Sequence, residues 1–270
     1  MSMNEEPIME SPPEATGASA EGEGRRMNEI SRVANMFFSP GETFEDINRK
    51  PTWLIPLLIA LVFSLAVGAL FRAKVLTPEV FEQMTRQRME EIMEKRGAQM
   101  SEEMMEQALK SSRITYRLWH VFTVGSTLLM LIVIAGVYFL VLLLLQAEAP
   151  FKKVFSVVTW SWMVYAVASG VIAAITLLLK SPETIDPLNL ESIAATNLAA
   201  FLSRRETSPA VYSLASSLDI FSIWFLILLS IGFSKISKKV SVKKAAIAVF
   251  ALWILYILGK AGFASFQGVA

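Results

Sequence analysis

The chain has no cysteine and a single histidine, His120. Without cysteine there is no disulfide framework, thiol nucleophile or thiolate metal site, and one histidine cannot complete a zinc motif that needs two. Net charge is also missing, since 25 Lys and Arg offset 24 Asp and Glu to leave +1. A nucleic-acid binder carries a basic stripe or a clearly basic total, so nucleic acid is not an expected partner. There is no Gly-rich phosphate loop and no serine nucleophile elbow. The paired glutamates Glu90-Glu91 and Glu102-Glu103 lie among other charges with no histidine ligands, and read as a solvated face. No catalytic residue, metal site or cofactor is expected, and the chain is not expected to be an enzyme.

What is abundant is apolar sequence. Apolar residues make up 54% of the chain, against about 45–50% for an average soluble domain. The excess sits in long, nearly uncharged blocks. A hydrocarbon layer of roughly 30 Å needs about 20 apolar residues in a helix. Five segments qualify: about 53–71, 118–145, 154–179, 214–234 and 245–263. The expected fold is therefore all-α, a polytopic membrane protein with about five transmembrane helices spread over 53–270. The fourth span has an uncharged core only over 220–233 and must borrow residues from about Leu214 to cross.

The first 24 residues carry Glu at 5, 6, 10, 14, 21 and 23, no Lys or Arg and no apolar run. That is the reverse of a cleavable signal peptide, and 1–25 is expected to be a disordered acidic tail. Over 27–38, Ile30, Val33, Ala34, Phe37 and Phe38 recur at helical spacing, predicting a short amphipathic helix in the headgroup plane. Ser39-Pro40-Gly41-Glu42 predicts a capping box, followed by a second short helix through Phe44 and Ile47. Residues 26–52 are thus expected to be cytoplasmic amphipathic helices leading into the first span.

Small residues recur every fourth position in two spans: Ala60, Ser64 and Gly68 in the first, Ala166, Gly170 and Ala174 in the third. Such stripes let helices approach closely. The polar segment 73–117 should form two helices, starting at Thr77-Pro78-Glu79, broken at Gly97 and restarted at Ser101. Its methionines, Met84, Met89, Met93, Met100, Met104 and Met105, read as packing filler. In the loop 180–213, a helix is expected after Asp186-Pro187, using Leu190, Ile193, Leu198, Phe201 and Leu202.

Lys235, Lys238, Lys239, Lys243 and Lys244 crowd one short loop with no acid, a cytoplasmic signal by the positive-inside rule. Counting crossings back puts Lys152, Lys153 and the N-terminus inside, and the C-terminus outside. Asp219 and Lys260 then fall at similar depth near the outer ends of the fourth and fifth spans, where either an ion pair lowers the cost of burying both charges or Asp219 caps its helix at the interface while Lys260 snorkels to water. His120 falls on the same side. Trp160, Ser161, Trp162 and Tyr165 make the third span polar and aromatic, which packing explains most simply.

Three stretches resemble the Yip family of integral membrane proteins. FFSPGETFEDINRKPTWLIPLLIAL (37–61) is similar to that family's pre-membrane helix and Pro-containing first span. FKKVFSVVTWSW (151–162) is similar to the start of its third span, and LDIFSIWFLILLSIGFSKISKKVSVKKA (218–245) to its most distinctive segment. The resemblance covers about 30–265 and implies a five-helix bundle with a cytoplasmic N-terminus, with Asp219, Phe221, Ser222 and Trp224 as family-defining positions. The chain lacks the Asp-Leu-Tyr-Gly-Pro motif of eukaryotic members linked to Rab-type GTPases, so GTPase binding does not carry over, and a prokaryotic-type member in the inner or plasma membrane is the expectation.

Two functions stay open at this point. One is a non-enzymatic membrane scaffold or organiser, with lipids and a membrane-protein partner or a second copy of the chain as its contacts. The other is a small permease or lipid-handling protein, motivated by the polar third span and by Asp219 with Lys260.

Overall fold

The computed structural model describes residues 27–185, 187, 193, 195–204 and 206–267. The acidic tail expected over 1–25 lies outside the described residues. The ten helices described are α1 (Glu29–Phe38), α2 (Pro40–Arg49), α3 (Leu54–Lys74), α4 (Pro78–Lys95), α5 (Glu102–Arg117), α6 (Trp119–Leu144), α7 (Phe151–Leu179), α8 (Pro209–Ser217), α9 (Ile220–Ile236) and α10 (Val242–Gln267). Among the described residues the fold is all-α, with one isolated bridge between Asn197 and Asp219.

Four helices, α3, α6, α7 and α10, are long and apolar enough to cross a membrane. The fifth apolar helix, α9, has 17 residues, about 25 Å at 1.5 Å per residue. It starts at Ile220 rather than near Leu214, because the Asp219 side chain accepts from Ser222 N and caps it. The residues before it form a separate helix, α8, with Pro at its first position. The chain thus forms a polytopic membrane bundle of five apolar helices.

α7 is the hub, packing against α3, α6 and α9, while α10 covers α8 and α9. Its first half is buried almost continuously from Val154 to Val164, with Trp160 wholly enclosed. In hydrocarbon no hydrophobic force separates helix from lipid, so contact depends on close fit. Three glycines supply it. A Cβ on Gly68 of α3 would meet the Trp119 ring of α6 at 2.7 Å, and one on Gly170 of α7 would meet Phe63 of α3 at 2.7 Å. Gly232 of α9 receives Val157 of α7 and Phe44 of α2. Ala60 and Ala166 are buried, and Ser64 and Ala174 partly so.

The end of the bundle carrying α1 and α2, the near end, also holds the 145–150 and 237–241 connections. The far end carries the α4–α5 hairpin, the described residues of the connection between α7 and α8, and α8. The hairpin follows local signals: Thr77 caps α4, Ser101 caps α5, and Gly97 breaks between them with a left-handed φ of 63°. Its base is fixed by Arg72, which donates to Tyr116 O at 2.7 Å and lies 3.5 Å over the Tyr116 ring. Most of the helix expected after Pro187 lies outside the described residues, and Leu198–Phe201 forms a single 3-10 turn.

Candidate functional site

At the near end, α2 does more than lie in a headgroup plane. Its Thr43, Phe44, Asp46 and Ile47 are buried, and α2 packs on α9 and α7. Ser39 does not form the expected capping box; its side chain makes no cap bond, and its carbonyl accepts from Thr43 N and Thr43 Oγ1 instead.

Between α1 and α2 lies a buried ion pair. Arg32 Nε and Nη2 both reach Asp46 Oδ2 at 2.7 Å, with the arginine side chain 2% exposed. Arg32 Nη1 also donates to Glu29 Oε1 at 3.1 Å and Thr52 Oγ1 at 2.8 Å. Thr52 O in turn accepts from Trp160 Nε1 at 2.8 Å, which joins the network to the core of α7. A guanidinium held this way has its charge and its fork of donors satisfied. Three further polar contacts lie at the same end of the bundle: Lys235 with Glu45, Lys153 with Asn48, and Lys239 with Glu148, each at 2.5 Å. Two of the five basic-loop lysines, Lys235 and Lys239, are therefore committed to ion pairs, while Lys238, Lys243 and Lys244 are exposed. Lys239 beside it holds the Glu148 carboxyl below its ordinary value.

With Arg32 and Met36 turned inward, the opposite face of α1 presents Ile30, Ala34 and Phe38 outward, Ile30 82% and Phe38 86% exposed. These three lie four residues apart on one stripe. The combination is an apolar stripe on a docked helix, set at the same end as exposed lysines.

At the far end, Asp219 and Lys260 line one cavity, of about 390 Å³. Asp219 Oδ2 accepts from Ser222 N at 2.9 Å, and Lys260 Nζ reaches Ser217 Oγ at 3.3 Å and Ser216 Oγ at 3.4 Å. Trp253, Tyr256 and Lys260 of α10 face the cavity at helical spacing. Of the resembling segment, Asp219 and Ser222 form the cap, Phe221 is partly buried and Trp224 points outward at 46% exposure. His120 does not join them; it is exposed beside Trp119 on α6. In α7, Trp162 and Tyr165 stack at 4.8 Å and pack on Phe225 of α9.

Among the described residues no group of three His, Cys, Asp or Glu is placed to hold a metal. Sequence reasoning missed the Arg32–Asp46 pair. Its signal was Arg32 one turn from Met36 and Asp46 beside Phe44 and Ile47, charges set within apolar arcs.

A five-helix bundle with docked N-terminal helices and a charged near end defines a class of polytopic, all-α membrane proteins. A family model, Yip1 domain, matches residues 34–262, and the chain belongs to that family. No match is found among curated proteins or among solved structures.

Proposed function

We propose that the chain is a non-enzymatic membrane organiser that acts through lipid and protein contacts at its near end, oriented with the N-terminus and basic loop cytoplasmic and the C-terminus outside. The observation that carries this reading is the docking of α1: the Arg32–Asp46 pair fixes the helix to the bundle while Ile30 and Phe38 stay exposed. A fixed amphipathic helix seats in the headgroup layer at a set angle to the spans, and Lys238, Lys243 and Lys244 add attraction to an anionic leaflet. Such a wedge perturbs lipid packing wherever the bundle resides.

Reconstitution of the full chain into anionic vesicles tests it. The wild type should alter vesicle shape or cluster anionic lipid, and the Ile30→Ser, Phe38→Ser variant should lose that effect without losing thermal stability. Unchanged vesicles that leak or exchange a solute or lipid would instead establish the alternative, a small permease or lipid-handling protein. The polar far-end cavity is the observation that favours that alternative.

A further inference from the structure

A second cavity at the far end, also of about 390 Å³, lies between the C-terminal half of α3, the start of α6 and the base of the α4–α5 hairpin. Its walls include Ser64, Gly68 and Phe71 of α3, Phe81 of α4, and Trp119 and Phe122 of α6. A cleft forms here because α3 leans on α7 and touches α6 little. The Trp119 ring fills the space that a side chain at Gly68 would take, which holds the aromatic wall against α3. Phe122 is 56% exposed, so one wall reaches the lipid-facing surface. From Arg72 back to Ser64 the lining follows α3 for two turns, about 12 Å, into the apolar part of the span.

One charge lies in this apolar lining, the half-buried Arg72 guanidinium. Its Nη1 donates to Tyr116 O, and its Cζ lies 3.5 Å from the Tyr116 ring centroid and 5.0 Å from that of Trp119. Among the described residues no carboxylate pairs with Arg72, and its Nε and Nη2 groups make no hydrogen bond. The neighbouring hydroxyls add no donor: Thr115 gives its proton to Ser111 O, Tyr116 to Leu76 O and Thr123 to Trp119 O. A cation with an open donor fork, at the head of an apolar cleft, matches an anionic head joined to an apolar chain. We propose that this cleft binds one anionic phospholipid from the surrounding leaflet. Arg72 Nε and Nη2 give the phosphate two charge-assisted hydrogen bonds, and an acyl chain lies between α3 and α6, past Phe122 towards Ser64. A zwitterionic phospholipid brings its own cation to the phosphate, so a headgroup of net negative charge is preferred. The site lies at the opposite end of the bundle from the stripe and lysines of the organiser reading, and either can fail alone.

The test is native mass spectrometry of the full chain in detergent, with phosphatidylglycerol or phosphatidylcholine of identical chains at equal concentration. The wild type should retain phosphatidylglycerol preferentially. Arg72→Gln should lower phosphatidylglycerol retention about tenfold, so that the two lipids are held alike. Ser64→Leu fills the cleft two turns away from the Arg72 contacts to Tyr116. It should lower phosphatidylglycerol retention as well, which loosening of the hairpin base alone does not explain. Equal retention of the two lipids by the wild type, or undiminished phosphatidylglycerol retention in either variant, overturns the site. Loss of the preference on combining Lys238→Gln, Lys243→Gln and Lys244→Gln also overturns it, by placing the lipid at the near end. Glycerophosphoglycerol, which has the headgroup without the chains, should not displace the lipid. Displacement at equal concentration overturns the lipid as occupant in favour of a free phosphate. Phosphatidylglycerol with a photoreactive group near the head of one acyl chain, used on the unmodified chain, covers variants that fail to fold. Cross-links within 64–72 or 116–123 support the site, and cross-links only elsewhere contradict it.

Discussion

Arg32 and Asp46, fourteen residues apart on two consecutive helices, meet at 2.7 Å with the guanidinium almost wholly enclosed. The pair turns α1 and α2 into one unit, and Thr52 with Trp160 ties that unit to α7. Removing Asp46 leaves the buried guanidinium with only the partly exposed Glu29 carboxylate and Thr52, and strands its Nε and Nη2 donors. Asp46→Ala should therefore cost about 3–5 kcal/mol, seen as a large drop in the thermal midpoint in detergent. Arg32→Met with Asp46→Leu should recover most of it, because an apolar pair of similar volume leaves no stranded charge.

Gly232 faces Phe44 and Val157 so closely that a methyl group has no room, whereas nothing lies within 4 Å of a Cβ on Gly136. Gly232→Ala should destabilise by about 1–3 kcal/mol through overpacking. Gly136→Ala should stabilise by up to about 1 kcal/mol through helix propensity. Paired thermal melts of the two variants check the contrast, and equal shifts would contradict the close approach of α2, α7 and α9.

The α4–α5 hairpin is pH-sensitive on the acid side. Arg113 donates to Glu82 Oε1 at 2.6 Å and to Oε2 at 3.2 Å, holding the Glu82 carboxyl below its ordinary 4.5. The folded hairpin thus takes up this proton at lower pH than the open one does. The contribution is complete above pH 4.5 and is lost as pH falls through the lowered value. Because the pair is exposed and screened, the effect is small and weakens with salt. Spin labels at Gln83 and Lys110 should report a broader distance distribution only below pH 4.5. Glu82→Gln should broaden it at all pH values.

The native chain has no cysteine, so single introduced cysteines report sidedness cleanly. In intact cells an impermeant maleimide should label Glu91→Cys on the hairpin and spare Lys238→Cys in the basic loop. The opposite pattern would invert the proposed orientation.

The bundle was legible because four spans exceed the length a soluble core helix needs, and hairpin boundaries because Thr77, Gly97 and Ser101 act locally. Ser39 shows the limit of local reading: its backbone serves the next turn while its hydroxyl makes no cap, since α1 runs straight into α2 with one residue between them. Asp219 was legible as a helix cap, but the separate helix before it, α8, was hidden by the apolar composition on both sides of Leu218. Arg32 and Asp46 were illegible as a pair because each, alone, looks like the solvated side of an amphipathic helix. Only the packing of α2 against Gly232 brings them inward together. Asp219 and Lys260 were placed in one neighbourhood by counting turns, and both do line one cavity, but the Ser216 and Ser217 hydroxyls against Lys260 come from α8, whose helix the loop sequence did not reveal.

The central claim is that α1 and α2 are a built-in part of the bundle, and the most direct measurement is a cross-link between α2 and α9 in native membranes. Glu45 and Lys235, in contact at 2.5 Å, are replaced by cysteines in the otherwise cysteine-free chain and treated with a short bifunctional maleimide. The account predicts rapid, nearly complete cross-linking that collapses when Asp46→Ala is added. A yield no higher than that of Glu45→Cys paired with Glu79→Cys, at the opposite end of the bundle, would contradict it.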